Sequence, residues 1–99
     1  MSVTCNSSED NRDLTIRVIG RFDYRMVWEF RATYADKQYL NYIINLSATD
    51  HMDSSALGML LSMRSTLGDN AKITIVRCRP RVKKVFEVSD FDELFNIES

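Results

Sequence analysis

Residues 49–60 read TDHMDSSALGML, an aspartate and two adjacent serines set immediately before an apolar run at helical spacing. A helix start leaves its first backbone N–H groups without partners, so one Ser or Asp oxygen is expected there. Three such residues in a row, Asp53, Ser54 and Ser55, exceed what a cap requires. The same helix end carries partial positive charge, so the backbone could accommodate a phosphate attached there. A phosphorylated serine would add about −1.5 to −2 charge without unfolding the helix. The stretch thus reads as a helix start and as a candidate modification site.

Working outward, residues 55–67 carry Ala56, Leu57, Met59, Leu60, Leu61, Met63 and Leu67, an apolar set that nearly encircles a helix and predicts deep burial. Gly68 suits a helix end, and GDN (68–70) turns the chain onward. Upstream, YLNYIINL (39–46) places Leu40, Tyr42, Ile44 and Leu46 on one face and Ile43 on the other, as in a central strand covered on both sides. NRDLTIRVIG (11–20) predicts a strand over residues 14–19 that stops at Gly20, and AKITIVR predicts a third over about residues 72–77. In YRMVWEFRATYADK (24–37) the period lengthens: Met26, Val27, Phe30 and Tyr34 form a helical stripe from which Trp28 is excluded. A third helix begins at Pro80 and buries Val82, Val85 and Phe86, with Arg81, Lys83 and Lys84 outward. Phe91, Leu94, Phe95 and Ile97 close the chain as a short helix or turn.

Strand and helix therefore alternate, which implies an α/β fold with a largely parallel sheet and right-handed crossovers. The expectation is one domain over residues 1–99, with four to five strands and three main helices. Residues 1–13 form a polar lead-in whose residues 2–5 can add an edge strand. Three helices leave one sheet face lightly covered. A chain of 99 residues that is 44% apolar supports a single core.

Thirteen basic against fourteen acidic residues give a net charge of −1, so no global field draws the protein to nucleic acid or to a membrane surface. No apolar stretch reaches bilayer length and the first thirteen residues are polar and acidic, so the expected location is cytoplasmic, with no membrane insertion. Cys5 and Cys78 are far apart and lack metal-ligand spacing; Cys78 reads as a small buried hydrophobe. No metal or cofactor is expected.

Enzymatic readings find little support. With three glycines and neither GxGxxG nor GxxxxGK[ST], the chain has no phosphate-cradling loop. A hydrolytic triad would need His51, the only histidine, which lies three residues before Ser54 with only Asp50 or Asp53 to orient it. Asp23, Asp50 and Asp53 are too loosely spaced to argue for a cation. The chain is expected to be a binding module.

Three separated segments carry a family resemblance. NLSATDHMDSSALGMLLSMRSTL (45–67) resembles the core of the STAS domain of bacterial anti-sigma factor antagonists, in which an Asn-Leu strand end leads to Asp-Ser-Ser/Thr-Gly-Leu-Gly at a helix start. GRFDYRMVWEF (20–30) resembles that family's Gly-x-x-Asp segment, and CRPRVKKVFEVSDFDELFNI (78–97) its closing helix and apolar tail. The resemblance implies that Ser54 is the phosphorylation site, Asp53 the motif aspartate, Ser55 its hydroxyl neighbour and Asp23 the loop aspartate nearby. Ala56 departs from the usual glycine. Alanine stiffens a helix by about 1 kcal/mol relative to glycine, while Gly58 matches.

The implied function is that of an anti-sigma factor antagonist in transcription regulation. Unphosphorylated, it would bind an anti-sigma factor, itself a serine kinase in some systems, and free a sigma factor; a PP2C-type phosphatase would reverse the phosphorylation. Phe22, Tyr24, Met52, Ala56, Leu57 and Gly58, at strand-to-helix junctions, are the expected partner-binding residues. Two other functions are compatible with the resemblance: an accessory subunit of a lipid-transport ATPase, and a nucleotide-binding module.

Overall fold

The computed structural model describes residues 2–36, 38–88 and 95–98. Its sheet is built on β2 (Asp13–Phe22), where Leu14, Ile16 and Val18 are buried on one face and alternate with less buried residues. Parallel strand β3 (Asn41–Asn45) repeats the pattern with Tyr42 and Ile44, and β5 (Lys72–Val76) with Ile73 and Ile75. β1 (Ser2–Ser7) pairs antiparallel with β2 at one edge, and β6 (Asn96–Glu98) runs parallel to β5 at the other. The order is β1-β2-β3-β5-β6. A sixth strand, β4 (Thr49–Met52), pairs only with the distal end of β2.

A 3-10 turn (Tyr24–Met26) leads into α1 (Val27–Tyr34); α2 is Ser54–Leu67 and α3 is Pro80–Val88. Phe30 and Tyr34 of α1, Ala56, Leu60 and Met63 of α2, and Val82 and Phe86 of α3 join the strand residues in one core. Phe30 contacts Phe22 and Tyr34 at ring separations of 5.2 and 5.8 Å. The helices therefore cover the Ile16–Ile44–Ile75 face.

Among the described residues no helix joins the opposite face, although Thr74 on it is buried. Register places Thr15, Ile43, Thr74 and Asn96 in one row across it, and Arg17, Asn45, Val76 and Glu98 in the next. Ile43 is half-buried there, so β3 is not covered on both sides as its apolar run suggests. Several further expectations are corrected. The sheet has six strands because residues 49–52 pair with β2 and residues 96–98 with β5. Leu40 precedes β3 and is exposed, and Leu61 points outward from α2. Of the residues expected to close the chain, Phe95 is buried and Ile97 lies in a strand; Phe91 and Leu94 lie outside the described residues.

Two features aim the chain at its functional end. Gly20 has φ 90°, and the β2–β4 register shifts between Gly20 and Arg21. An L side chain there would be strained, so glycine lets β2 pass from pairing with β3 to pairing with β4. Thr49 fixes β4 by donating its hydroxyl to Val18 O at 2.8 Å.

Candidate functional site

β4 delivers Asp53 to the start of α2. Its backbone is extended (φ −127°, ψ −174°), and its carboxylate Oδ1 accepts from Ser55 N–H at 3.0 Å and Ala56 N–H at 3.4 Å. Ser55 Oγ–H donates to the same oxygen. The cap is thus a carboxylate, and the second serine is committed to holding it. The Ser55 hydroxyl, followed by the first-turn amides, keeps the Asp53 acid below its ordinary range, against partial burial and the nearby Asp23 charge. Ser54 is the first helical residue and is exposed, and among the described residues its hydroxyl has no hydrogen-bond partner. The two hydroxyls are not equivalent: Ser55 is structural and Ser54 is presented.

β2 ends in the same way. Phe22 and Met52 are register partners, so Asp23 and Asp53 follow from adjacent strand ends. Asp23 is only 4% exposed and caps the 3-10 turn, accepting from Arg25 N–H at 3.0 Å and from the Arg25 guanidinium at 2.8 Å. Arg21 approaches it at 4.0 Å. The Arg25 guanidinium holds the Asp23 acid low, although desolvation opposes it. Asp23 and Asp53 therefore lie at neighbouring strand ends, with the Asp23 charge paired to Arg25.

The expected partner-binding residues divide by burial. Tyr24 is 67% exposed and Gly58 is exposed, whereas Phe22, Met52, Ala56 and Leu57 are buried in the core. Phe22, Met52 and Ala56 shape this surface from beneath and present no side chain to a partner in this conformation. The Ala56 methyl group points inward and does not obstruct the surface. Sequence reasoning did not nominate Val27 and Trp28, which are 38% and 76% exposed and continue the Tyr24 surface along α1. A groove of about 340 Å³ beside them runs between α1 and α2, with Tyr24, Val27, Ser55, Gly58 and Ser62 among its lining residues. For Trp28 the signal was present, since it falls off the apolar stripe of its helix; Val27 was expected on that core-facing stripe and is instead exposed.

His51 lies in β4 opposite Arg21 and next to buried Met52, so its side chain leaves the other face of the strand. It makes no hydrogen bond to Ser54, and no base–nucleophile pair is formed. Among the described residues no three His, Cys, Asp or Glu side chains gather as metal ligands, and no helix is long and apolar enough to cross a membrane. Cys78 is half-buried, and burial pushes its thiol above the ordinary range, against the pull of Lys83.

Comparison with known proteins fixes the family. The model of the STAS domain matches residues 5–99. The chain belongs to the STAS family. A STAS-domain containing protein of Pseudomonas aeruginosa (strain UCBPP-PA14) is 39% identical over 100 residues, covering 98% of this chain and 99% of that protein. Among solved structures, an anti-sigma factor antagonist from Mycobacterium paratuberculosis superposes with a TM-score of 0.80 at 21% identity, covering 98% of this STAS chain and 86% of the other. The anti-sigma factor antagonist SpoIIAA in its unphosphorylated form gives 0.75 at 24% identity, with 97% and 89% covered. Bacillus SpoIIAA has also been solved in its phosphorylated form, which gives 0.70 at 21% identity with 99% and 92% covered. At these identities the likeness is one of fold: the protein has the STAS architecture found in anti-sigma factor antagonists.

Proposed function

We propose that this STAS protein is an anti-sigma factor antagonist switched by phosphorylation of Ser54. The observation that carries the reading is the division of labour at the α2 start: Asp53 and Ser55 complete the cap, leaving Ser54 exposed and uncommitted. Phosphorylating Ser54 therefore leaves every described hydrogen bond of the cap in place. SpoIIAA, which shares this fold, exists in unphosphorylated and phosphorylated forms.

Unphosphorylated, the surface formed by Tyr24, Val27, Trp28, Gly58 and the α2 start binds an anti-sigma factor. Phosphorylation by a serine kinase places about −1.5 to −2 charge beside Asp53 and near Asp23. Burying that charge against a partner strips its water, at a cost of several kcal/mol. A penalty of about 3–4 kcal/mol weakens binding several-hundredfold. A PP2C-type phosphatase resets the switch, and the domain itself carries out no chemistry.

Phosphosite mapping of the protein from its own cells should find phosphate on Ser54. Affinity measured against the co-purified anti-sigma factor should be retained in Ser54→Ala and reduced in Ser54→Asp. Phosphate on Ser55 alone, or equal affinity of the two variants, would sink the proposal. Recovery with a membrane transport complex in place of an anti-sigma factor would favour an accessory-subunit role.

A further inference from the structure

The switch site has a second wall, supplied by α3. This helix packs on β4, the strand that delivers Asp53 and Ser54. Arg81, Lys84, Val85 and Val88 fall three, four and seven residues apart, so they share one face of α3. That face and the α2 start enclose a groove of about 330 Å³ lined by Ser54, Leu57, Arg81, Lys84, Val85 and Val88. The groove has an apolar floor and a basic rim with a hydroxyl at its edge. Among the described residues neither Arg81 nor Lys84 has an acidic partner.

The surrounding charges favour this wall for an anion. On the β2 side, Asp53 and Asp23 are both acidic, Arg25 is bound to Asp23, and Arg21 lies 4.0 Å from the same carboxylate. The Ser55 and Ala56 N–H groups already donate to Asp53. A phosphoryl group on Ser54 thus finds the cations of that side and the nearest first-turn amides already engaged. Across the groove stand two cations that have no acidic partner among the described residues.

We infer that Arg81 and Lys84 form the receiving site for the phosphoryl group of Ser54, drawing it across the α2–α3 groove. This rests on Ser54 being the phosphoacceptor, and it deepens that reading in one respect. Phosphorylation then also covers the apolar strip of Leu57, Val85 and Val88, so an open amphipathic groove becomes a closed ionic one. Arg can hold a phosphate through two parallel N–H donors, while Lys84 adds a point charge.

The test uses full-length protein with phosphoserine installed at position 54 during translation, followed by ³¹P NMR across a pH titration at low salt. Cations facing the phosphate favour its dianion, so Arg81→Gln with Lys84→Gln should raise its second pKa by about half a unit, a threefold change in the proton dissociation constant. Lys83→Gln, on the side of α3 that faces Cys78, should leave it unchanged. Arg81 and Lys84 are exposed, so the melting temperature reports whether the double variant remains folded. A folded double variant that titrates like wild type overturns the inference, as does an equal shift from Lys83→Gln. Phosphosite mapping separates the two ideas. Absence of phosphate from Ser54 in cells overturns the acceptor reading and the regulatory role together, whereas phosphate on Ser54 with an unchanged titration overturns the receiving site alone.

Discussion

Asp23 and Asp53 leave the sheet side by side, because the residues before them, Phe22 and Met52, are register partners on parallel strands. Each then caps the helical segment that follows, Asp23 the 3-10 turn and Asp53 α2. The construction places two carboxylates beside the exposed and uncommitted Ser54. It also makes the site's geometry sensitive to pH.

Both carboxyls titrate below their ordinary range, Asp23 chiefly through Arg25 and Asp53 chiefly through Ser55. A depressed folded-state pKa stabilises the fold fully above the unfolded value, about 3.9, and that stabilisation is lost as pH falls through the folded value. Stability should therefore decline below about pH 4. Asp53→Asn keeps an N-cap oxygen but no titrating group, so its urea midpoint should fall less steeply between neutral pH and pH 3 than that of wild type. At neutral pH Asp53→Ala should cost about 1 kcal/mol. Identical pH slopes for wild type and Asp53→Asn would contradict the assignment.

The two serines should separate cleanly in stability. Ser54→Ala removes an exposed hydroxyl without a described partner and should change unfolding free energy by less than about 0.5 kcal/mol. Ser55→Ala removes a donor to the capping carboxylate and should cost about 1 kcal/mol. Chemical denaturation of the two variants checks this, and the reverse order would exchange their roles.

Met52 and Tyr24, both expected at the interface, should respond in opposite ways. Met52 is a core residue, so Met52→Lys buries a charge and should destabilise by about 3 kcal/mol or more. Tyr24→Glu changes an exposed residue; it should leave the melting temperature nearly unchanged while weakening the anti-sigma factor complex. Comparable losses of stability in the two variants would mean that Tyr24 is a packing residue.

Gly20 is required by its backbone conformation. At φ 90° a Cβ is strained, so Gly20→Ala should lower stability by about 1–2 kcal/mol and loosen the β2–β4 junction. Hydrogen exchange at the amides of Gly20 and Thr49, which donate to Ala48 O and Leu46 O, reports that loosening directly. Unaltered exchange and stability would show that the bulge tolerates a side chain.

What the sequence made legible follows the strength of its periods. The Leu14–Ile16–Val18 alternation and the helical stripes of residues 56–63 and 82–86 give the α/β class, because each buries one face against the same core. β4 was not legible. Thr49, Asp50, His51 and Met52 are polar enough to read as a loop, and their strand character comes only from pairing with β2 beyond Gly20. Ile43 misled for a related reason: one apolar residue between Asn41 and Asn45 does not require a covering layer over β3. At the site, Asp53 and Ser54 were legible from local chemistry. The burial of Phe22 and Met52 depends on which way a strand end points, and the groove between Ser54 and α3 depends on packing across many residues of sequence.

Trp28 supplies the last prediction. It is the only tryptophan, 76% exposed on α1, and adjoins exposed Val27 and Tyr24. A large exposed aromatic gains most when a partner excludes water from it, and such residues dominate binding energy at interfaces. In the free protein its fluorescence should show the red-shifted emission of a hydrated indole and be quenched readily by iodide. Binding the anti-sigma factor should shift emission to the blue and reduce quenching. Trp28→Ala should weaken the complex by about 2 kcal/mol, roughly thirtyfold, with little loss of stability because the ring contributes little to the core. The same emission can be followed in protein carrying phosphoserine at position 54, where the blue shift should appear only at much higher partner concentration. Emission unchanged by saturating partner would place the contact surface away from α1, and the α2–α3 groove would then be the face to test.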